Sequence, residues 1–344
     1  QLFAIESANI STIHSFCLDL VKQNFQSLGL SPKLRIADEA EAELMLDKCA
    51  EAVFDKGYED GDRGFLMLVK QLTNQRSDGE LKNALISIYN KLMSYPHPFS
   101  WLEERRDALA LEKEKVVSEV FSTEFGKNLI NKTKKLISEG RAILEEAEEF
   151  SSMVEEKLFE PFKALDEAYD KITDVVDSGY LAVKDELSKI KIPSLPKKKY
   201  PPEIADYASD LKTNANNKIK EIAEFYSDSP QEIFADTSVA LRIHEEFSKL
   251  LQALDGEYVE LKSERGVLDF SDLEHLALKL LTDGGQSFAD MRQSELCKRL
   301  SEQFQEIYID EYQDTNPVQD AIFSLIAKPD NKFIVGDVKQ SLYR

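Results

Sequence analysis

The chain has 344 residues and carries 43 Lys and Arg against 64 Asp and Glu, so its formal net charge is −21. This charge excludes a general binder of polyanions, and the 42% of apolar residues excludes a chain that is disordered throughout. Glycine is scarce, with 13 residues, which favours a mainly helical protein. The three cysteines lie far apart, which argues against a disulfide framework or a cysteine metal cage and fits a reducing cytoplasm.

The first stretch of the chain, residues 1–34, opens with a short segment that leads into an amphipathic helix. Its apolar residues recur at the spacing of one buried helix face, namely Ile13, Phe16, Cys17, Leu20 and Val21. The second stretch, residues 35–263, is a long series of charged helical patterns with few glycines and no alternating strand signal. We therefore predict an all-helical block over 35–263.

A lysine-rich arm interrupts this block at residues 187–202, which contain four prolines and no acid. Proline has no amide hydrogen and disfavours helix in the residue before it, so helices should stop near Lys189 and resume near Glu203. Such a local cationic patch is able to contact phosphates, and an exposed solubilising loop is the alternative. The five lysines are Lys189, Lys191, Lys197, Lys198 and Lys199.

The third stretch, residues 264–344, changes character. Helical patterns over 270–281 and 295–304 lead to two short strand patterns at 306–309 and 333–335. Between the strands, Asn316 has the position of an N-cap, Pro317 is the first helical residue and Gln319 completes a capping box. Strand, helix and strand in this order predict a βαβ unit with parallel strands, and so an α/β domain.

Polar residues follow both predicted strands. Asp310 and Glu311 come after the first strand, and Gln340 comes after the second. Ligands of parallel α/β sheets bind beyond the carboxyl ends of the strands. There, one carboxylate can hold Mg²⁺ while its neighbour orients an attacking water. Acids that cap a helix, or that are solvated at the edge of a sheet, are the alternative.

Four sequence blocks together resemble a known family. Residues 309–316 and 335–344 resemble motifs II and III of the UvrD/RecB branch of superfamily 1 DNA helicases. Residues 10–17 resemble the Thr-x-His motif of that branch, and residues 268–273 resemble its helix before motif II. Within the branch, motifs II and III are most similar to those of the AddA family of helicase-nuclease subunits.

The resemblance implies roles for individual residues. Asp310 is similar to the Mg²⁺-binding acid of the Walker B motif, and Glu311 to its partner that activates water. Gln340 is similar to the glutamine that senses the γ-phosphate of ATP. Gln313 and Asp314 match the remaining fixed positions of motif II, which implies coupling rather than direct chemistry, with Gln313 beside the nucleotide. The implied DNA contacts are Thr12, His14, Tyr343 and Arg344, with Lys197, Lys198 and Lys199 of the arm facing duplex DNA.

Each DNA assignment has a structural alternative. Thr12 is also a suitable N-cap for the following helix, His14 alone is more often a structural histidine than a ligand, and Tyr343 is also compatible with an ordinary core position. We interpret Asp269 and Asp272 as structural, because two acids at a helix start favour the helix dipole.

The resemblance also implies a fold and a function. Residues 1–34 and 264–344 should form part of a RecA-like P-loop NTPase domain, and 35–263 a helical insertion resembling domain 1B. The implied function is ATP-driven 3′ to 5′ DNA translocation by a helicase-exonuclease subunit, with an AddB-like partner subunit, in double-strand break repair and recombination in the bacterial cytoplasm. A helicase of the UvrD or Rep type without a nuclease, and a non-catalytic helical module that binds a partner, are the alternatives.

The phosphate-binding loop G-x-x-x-x-G-K-[ST] is not contained in the sequence, whose single Gly-Lys pair, Gly126-Lys127, is followed by Asn128. The sequence also does not begin with Met. No apolar run approaches the roughly 18 residues that span a bilayer, so we expect no membrane partner. We therefore expect a segment of a longer protein that does not hydrolyse ATP by itself.

Overall fold

The computed structural model is mainly helical and divides into two compact units. The first unit comprises Gln1–Arg106 and Ile243–Arg344, and the second comprises Asp107–Arg242. The residues described are 9–31, 33–73, 77–151, 156–196, 201–284 and 290–337.

The N-terminal part of the first unit consists of capped helices and one short strand. Thr12, Asp38 and Asp62 each accept a hydrogen bond from the backbone three residues later, which is why helices begin after them. The elements are α1 (Ile13–Gln23), β1 (Arg35–Ile36), α2 (Glu39–Glu59), α3 (Arg63–Leu72), α4 (Gly79–Leu92) and α5 (Pro98–Glu119), whose residues from Asp107 onward belong to the second unit.

The second unit is a helical body around an aromatic core. Tyr169 is fully buried, and its hydroxyl donates to the carbonyl of Ala215 at 2.7 Å. Gly140 allows this packing, because a Cβ there would lie 1.9 Å from the Tyr169 hydroxyl. The elements are a 3-10 turn (Val120–Ser122), α6 (Glu124–Ser151), α7 (Glu156–Val175), α8 (Tyr180–Lys189), α9 (Pro202–Phe225) and α10 (Pro230–Arg265), whose residues from Ile243 onward belong to the first unit. The end of α8 and the start of α9 confirm the predicted break at the proline-rich arm.

The C-terminal part of the first unit contains the strand–helix–strand unit. Its elements are β2 (Val267–Leu268), α11 (Phe270–Leu281), α12 (Glu295–Gln303), β3 (Ile307–Ile309), a 3-10 turn (Tyr312–Asp314), α13 (Pro317–Ile326) and β4 (Lys332–Ile334). Strands β3 and β4 pair in parallel, with Tyr308 opposite Phe333. The predicted βαβ unit is therefore confirmed.

A second parallel pair joins distant parts of the chain. Arg35 of β1 lies opposite Val267 of β2, and Ile36 lies opposite Leu268. Strand β1 falls at the start of the stretch predicted to be all helical. A two-residue strand is too short to show an alternating pattern, so this pairing was not predicted.

Two apolar clusters form the core of the first unit. One packs α2, α3 and α4 against the C-terminal half of α10, with Leu68, Leu85 and Leu254 fully buried. The other packs α1 and α11 with α12 and α13. This second cluster includes Cys17, Leu20 and Val21, as the helical spacing predicted, and it supports the loops described below.

None of the helices in the described ranges is long and apolar enough to cross a membrane. The mainly helical architecture with small parallel sheets agrees with the predicted mixture of all-α and α/β parts. The limits of the predicted insertion, 35–263, and its RecA-like surroundings stay predictions.

Candidate functional site

The two adjacent acids lie at the carboxyl end of β3. The end of β4 is held beside them, because the Val335 amide donates to the Ile309 carbonyl at 2.9 Å and the Tyr312 amide donates to the Val335 carbonyl at 3.0 Å. Asp310 accepts the Glu311 amide at 2.9 Å through Oδ1. Both acids are exposed to solvent. They therefore occupy the edge at which parallel sheets bind ligands.

Glu311 adopts an unusual backbone conformation. Its φ is +52°, in the left-handed region that non-glycine residues rarely adopt. Such a conformation costs on the order of 1 kcal/mol and persists only where the surroundings impose it. The hydrogen bonds on either side of Glu311 supply that constraint, so the turn fixes the direction in which its carboxylate leaves the sheet.

Gln313 joins the two strand ends. Its amide nitrogen donates to the Glu311 carboxylate, and its Oε1 accepts the Asp337 amide at 3.0 Å. A Cβ at Gly336 would lie 2.6 Å from Gln313 Oε1, so a side chain there would displace the Gln313 amide from this position. The prediction that Gln313 contacts the nucleotide stays a prediction. In the structure its side chain positions Glu311 against the end of β4.

Tyr312 ties the same turn to helix α13. Its hydroxyl donates to Oδ1 of Asp320 at 2.5 Å. This hydrogen bond, together with burial and the carboxylate charge, raises the pKa of Tyr312 to about 12. The hydroxyl therefore stays protonated at neutral pH and keeps donating to the first turn of α13.

Helix α13 begins with the capping box that the sequence predicted. The Asn316 side chain accepts the Gln319 amide at 2.8 Å, and the Gln319 side chain accepts the Asn316 amide at 3.4 Å. The amide of Val318 donates to the Ser94 carbonyl at 3.0 Å. The connection between α4 and α5 thus satisfies another of the free amides at this helix start.

Thr12 and His14 lie at the start of α1. The Thr12 hydroxyl accepts the Ser15 amide at 3.2 Å, so Thr12 is the N-cap that the structural alternative anticipated. Nε2 of His14 lies 3.1 Å from Oε1 of Glu274, and its ring centroid lies 4.8 Å from that of Phe270. The His14 side chain remains 39% exposed, so a ligand can still reach its ring.

Glu274 lies beside His14 and was not predicted from the sequence as part of the candidate site. It is buried, and it accepts from Asn316 at 3.0 Å and from Gln319 at 2.6 Å in addition to His14. Burial acts to raise the pKa of Glu274, but hydrogen bonds from His14, Gln319 and Asn316 outweigh it and lower that pKa. The carboxylate is therefore ionised inside the protein and joins the Thr-x-His segment to α13.

A signal for Glu274 exists in the sequence. The residue shares the helical spacing of Ala277, Leu278 and Leu281, which are buried on the inner face of α11. An acid on an apolar face requires a buried partner, because an unpaired buried charge is costly.

Asp269 and Asp272 form a capping box at the start of α11, in agreement with their structural interpretation. Lys262 is buried between them, with its ammonium 3.0 Å from Asp269, 2.7 Å from Asp272 and 4.1 Å from the Tyr258 ring centroid. Burial and the neighbouring Asp269 charge raise the pKa of Asp272. Burial acts to raise the pKa of Asp269 as well, but the Lys262 charge and the hydrogen bond from the Asp272 amide keep that pKa below the usual range.

Several predicted site residues lie outside the described residues. They are Gln340, Tyr343, Arg344, Lys197, Lys198 and Lys199. Of the rest of the arm, Lys189 pairs with Asp185 at 2.6 Å and with Glu186 at 3.4 Å, so acids of its own helix already neutralise it. Lys191 is exposed.

The donor set at the sheet edge fits Mg²⁺. Across the described ranges, no group of three or more His, Cys, Asp or Glu side chains is arranged to hold a metal. Mg²⁺ bound with a nucleotide typically takes one or two protein carboxylates and completes its shell with phosphates and water. Asp310 supplies one solvent-exposed carboxylate, which matches that requirement.

Comparison with known proteins gives consistent matches. Residues 3–344 match the model of the UvrD/REP helicase N-terminal domain. The whole chain is 31% identical to a protein of Clostridium beijerinckii that is named as a subunit of an ATP-dependent helicase/nuclease, and it covers 28% of that protein. Proteins of the same name from Thermoanaerobacter sp. and Clostridioides difficile are 34% and 31% identical over the whole chain, which again covers 28% of each.

Proposed function

The chain belongs to the UvrD/REP helicase family, and we propose that it forms part of the motor of an ATP-dependent helicase-nuclease subunit. The observation that carries this proposal is the pair Asp310 and Glu311 at the carboxyl edge of β3, with Gln313 holding Glu311 to the end of β4. The named relatives are ATP-dependent helicase/nuclease subunits, and the chain spans 28% of their length. Helicase and nuclease activity is therefore proposed for a protein that contains these residues.

In the proposed reaction, Asp310 holds Mg²⁺ and Glu311 acts on water. Mg²⁺ bound there with ATP neutralises the charge that develops on the phosphates. Glu311 accepts a proton from the water that attacks the γ-phosphorus, the bond between that phosphorus and the β–γ bridging oxygen breaks, and ADP and phosphate leave. Gln313 positions the Glu311 carboxylate, and Gln340 contacts the γ-phosphate.

The proposed DNA track passes Thr12 and His14. Both lie at the start of α1, where the His14 ring is partly exposed. Tyr343 and Arg344 contact the same single-stranded DNA, and Tyr343 stacks on a base. Lys197, Lys198 and Lys199 contact duplex DNA, where a local positive patch acts on phosphates despite the net charge of −21.

The proposed organisation follows the family. Residues 1–34 and 264–344 contribute to a RecA-like domain, and 35–263 form an insertion of the 1B type. The motor moves 3′ to 5′ on single-stranded DNA. Together with an exonuclease and an AddB-like partner subunit, it processes double-strand breaks for repair and recombination in the bacterial cytoplasm. Since these residues contain no phosphate-binding loop, they do not hydrolyse ATP alone.

The test is the Glu311→Gln substitution in a protein that carries these residues together with a phosphate loop. We expect DNA-stimulated ATP hydrolysis to fall by at least about a hundredfold while ATP binding is retained, because the substitution removes only the proton acceptor. Glu295→Gln, on an exposed residue paired with Lys298, is the matched control and should leave the rate unchanged. Equal rates for the two variants would refute the assignment of Glu311.

A further inference from the structure

The first turn of α13 is held from three directions within the first unit. The Ser94 carbonyl accepts the Val318 amide, the Glu274 carboxylate accepts the Gln319 side chain, and the Tyr312 hydroxyl donates to Asp320. This turn begins immediately after the segment that carries Asp310 and Glu311. A change in its stability therefore reaches the acids through the Tyr312–Asp320 hydrogen bond.

Glu274 controls how the capping box is oriented. Both amide oxygens of the box face backbone amides, so both amide NH₂ groups remain to be satisfied. Oε2 of Glu274 accepts from Asn316 and Oε1 accepts from Gln319. Because the carboxylate is buried and accepts from both groups, it favours the one amide orientation that closes the box.

The third hydrogen-bond donor to Glu274 comes from the Thr-x-His segment. His14 shares Oε1 with Gln319, and its own side chain is 39% exposed. Nε2 of His14 already faces Glu274. If a phosphate accepts a hydrogen bond from Nδ1 as well, both ring nitrogens must carry a proton, and the ring is then charged. The charged ring then binds the Glu274 carboxylate more strongly.

We propose that Glu274 is a positioning residue that transmits occupancy of the DNA site at His14 to the first turn of α13 and so to the Asp310–Glu311 turn. The inference rests on the proposed function, because it requires DNA to contact His14. A purely structural Glu274 would stabilise α13 equally with and without DNA. The two roles therefore differ in a quantity that can be measured.

The experiment is amide hydrogen exchange on the 344-residue chain with and without saturating oligothymidylate, read at Val318 and Gln319. We expect DNA to slow exchange at these amides on the order of tenfold in the wild-type chain, since exchange reports local opening. In Glu274→Gln the oligonucleotide should still bind, but the slowing should be lost. Glu295→Gln makes the same chemical change at an exposed position of α12 and should behave like the wild type.

His14→Gln provides a second variant in case Glu274→Gln does not fold. It leaves the Glu274 bonds to Asn316 and Gln319 in place, weakens oligothymidylate binding, and should abolish the slowing even at saturation. The role of Glu274 would be refuted if DNA slowed amide exchange equally in wild type and Glu274→Gln, or if the wild type bound DNA without slower exchange. Either result would leave the proposed DNA contact of His14 standing. Failure of the wild type to bind, or binding insensitive to His14→Gln, would overturn the DNA contact and the inference with it.

Discussion

The ammonium of Lys262 lies 2.7 Å from the carboxylate of Asp272 inside the first unit, where Lys262 is only 5% exposed. Removing the lysine would leave the half-buried carboxylates of Asp269 and Asp272 without their cation. We expect Lys262→Ala to lower the free energy of unfolding by about 3 kcal/mol or more, because breaking a buried ion pair strands a charge.

Chemical denaturation followed by tryptophan fluorescence measures this effect. The single tryptophan, Trp101, lies in the first unit and stacks on Tyr95, so its emission reports on that unit. Lys249→Ala on the same helix is the control. Its exposed pair with Glu246 should contribute nothing measurable. Similar losses in both variants would contradict a special role for Lys262.

The acid sensitivity of the first unit should depend on Glu274. Its folded-state pKa is lowered from an ordinary value of about 4.5, so its stabilising contribution is complete above that value. The contribution is lost as the pH falls through the lower, folded-state pKa. The difference in unfolding free energy between wild type and Glu274→Gln should therefore be largest at neutral pH and shrink on acidification. A difference that stays constant down to the folded pKa and below would show that Glu274 is not ionised in the protein.

Gly336 should be needed for activity rather than for the fold. A Cβ there would push against Gln313, which positions Glu311. We expect Gly336→Ala to reduce ATP turnover tenfold to about a hundredfold in a protein that also carries a phosphate loop, because small misplacements of a catalytic group are costly. Gly256→Ala is the control. No atom lies within 4 Å of its added Cβ, and the change should stabilise α10 by about 1 kcal/mol without altering turnover. Unchanged turnover in Gly336→Ala would remove Gln313 from the proposed site.

The lysine-rich arm predicts a salt-dependent interaction with duplex DNA. Replacing Lys197, Lys198 and Lys199 with Gln should weaken duplex binding. The negative slope of log affinity against log salt should become shallower by about 0.9 for each phosphate that is no longer neutralised. The control removes the same charge from exposed lysines of α2 and α3, namely Lys48, Lys56 and Lys70. If the arm and control variants share the wild-type affinity and slope, the arm is a solvated loop.

The 344-residue chain should not turn over ATP. In the proposed site Asp310 would reach the nucleotide mostly through Mg²⁺, and a single carboxylate cannot hold a triphosphate without the amides of a phosphate loop. Phosphate release in the presence of Mg²⁺ and DNA should match the protein-free background. A steady activity that Glu311→Gln abolishes would refute this prediction.

Local chemistry made much of the fold predictable. The caps at Thr12 and Asn316, the prolines after Lys189 and the apolar runs of β3 and β4 each act within a few residues, and the structure agrees with all four. The pairing of β1 with β2 has no such signature, since two-residue strands carry no period and their partner lies beyond the helical block.

The site was predictable in its residue types but less so in its connections. Asp310 and Glu311 follow an apolar strand, which predicts that they lie at the carboxyl edge of the sheet. The left-handed backbone of Glu311 and the three hydrogen bonds to Glu274 arise only when distant segments meet, so spacing does not encode them. The link from Lys262 to the capping box is local, since Asp269 and Asp272 follow it by seven and ten residues. It was not predicted, because the helix dipole alone already accounts for the two acids.

The cluster that packs α1 against α11 also has a consequence for synthesis on the ribosome. Strands β3 and β4 are separated by one helix, so they can pair soon after both have emerged. Helix α1 must wait much longer, because Leu273 and Leu278, in the cluster that buries Cys17 and Leu20, follow the entire helical block. Its apolar face therefore lacks these partners while the residues of the second unit are being synthesised, and transiently exposed apolar surface is prone to aggregation.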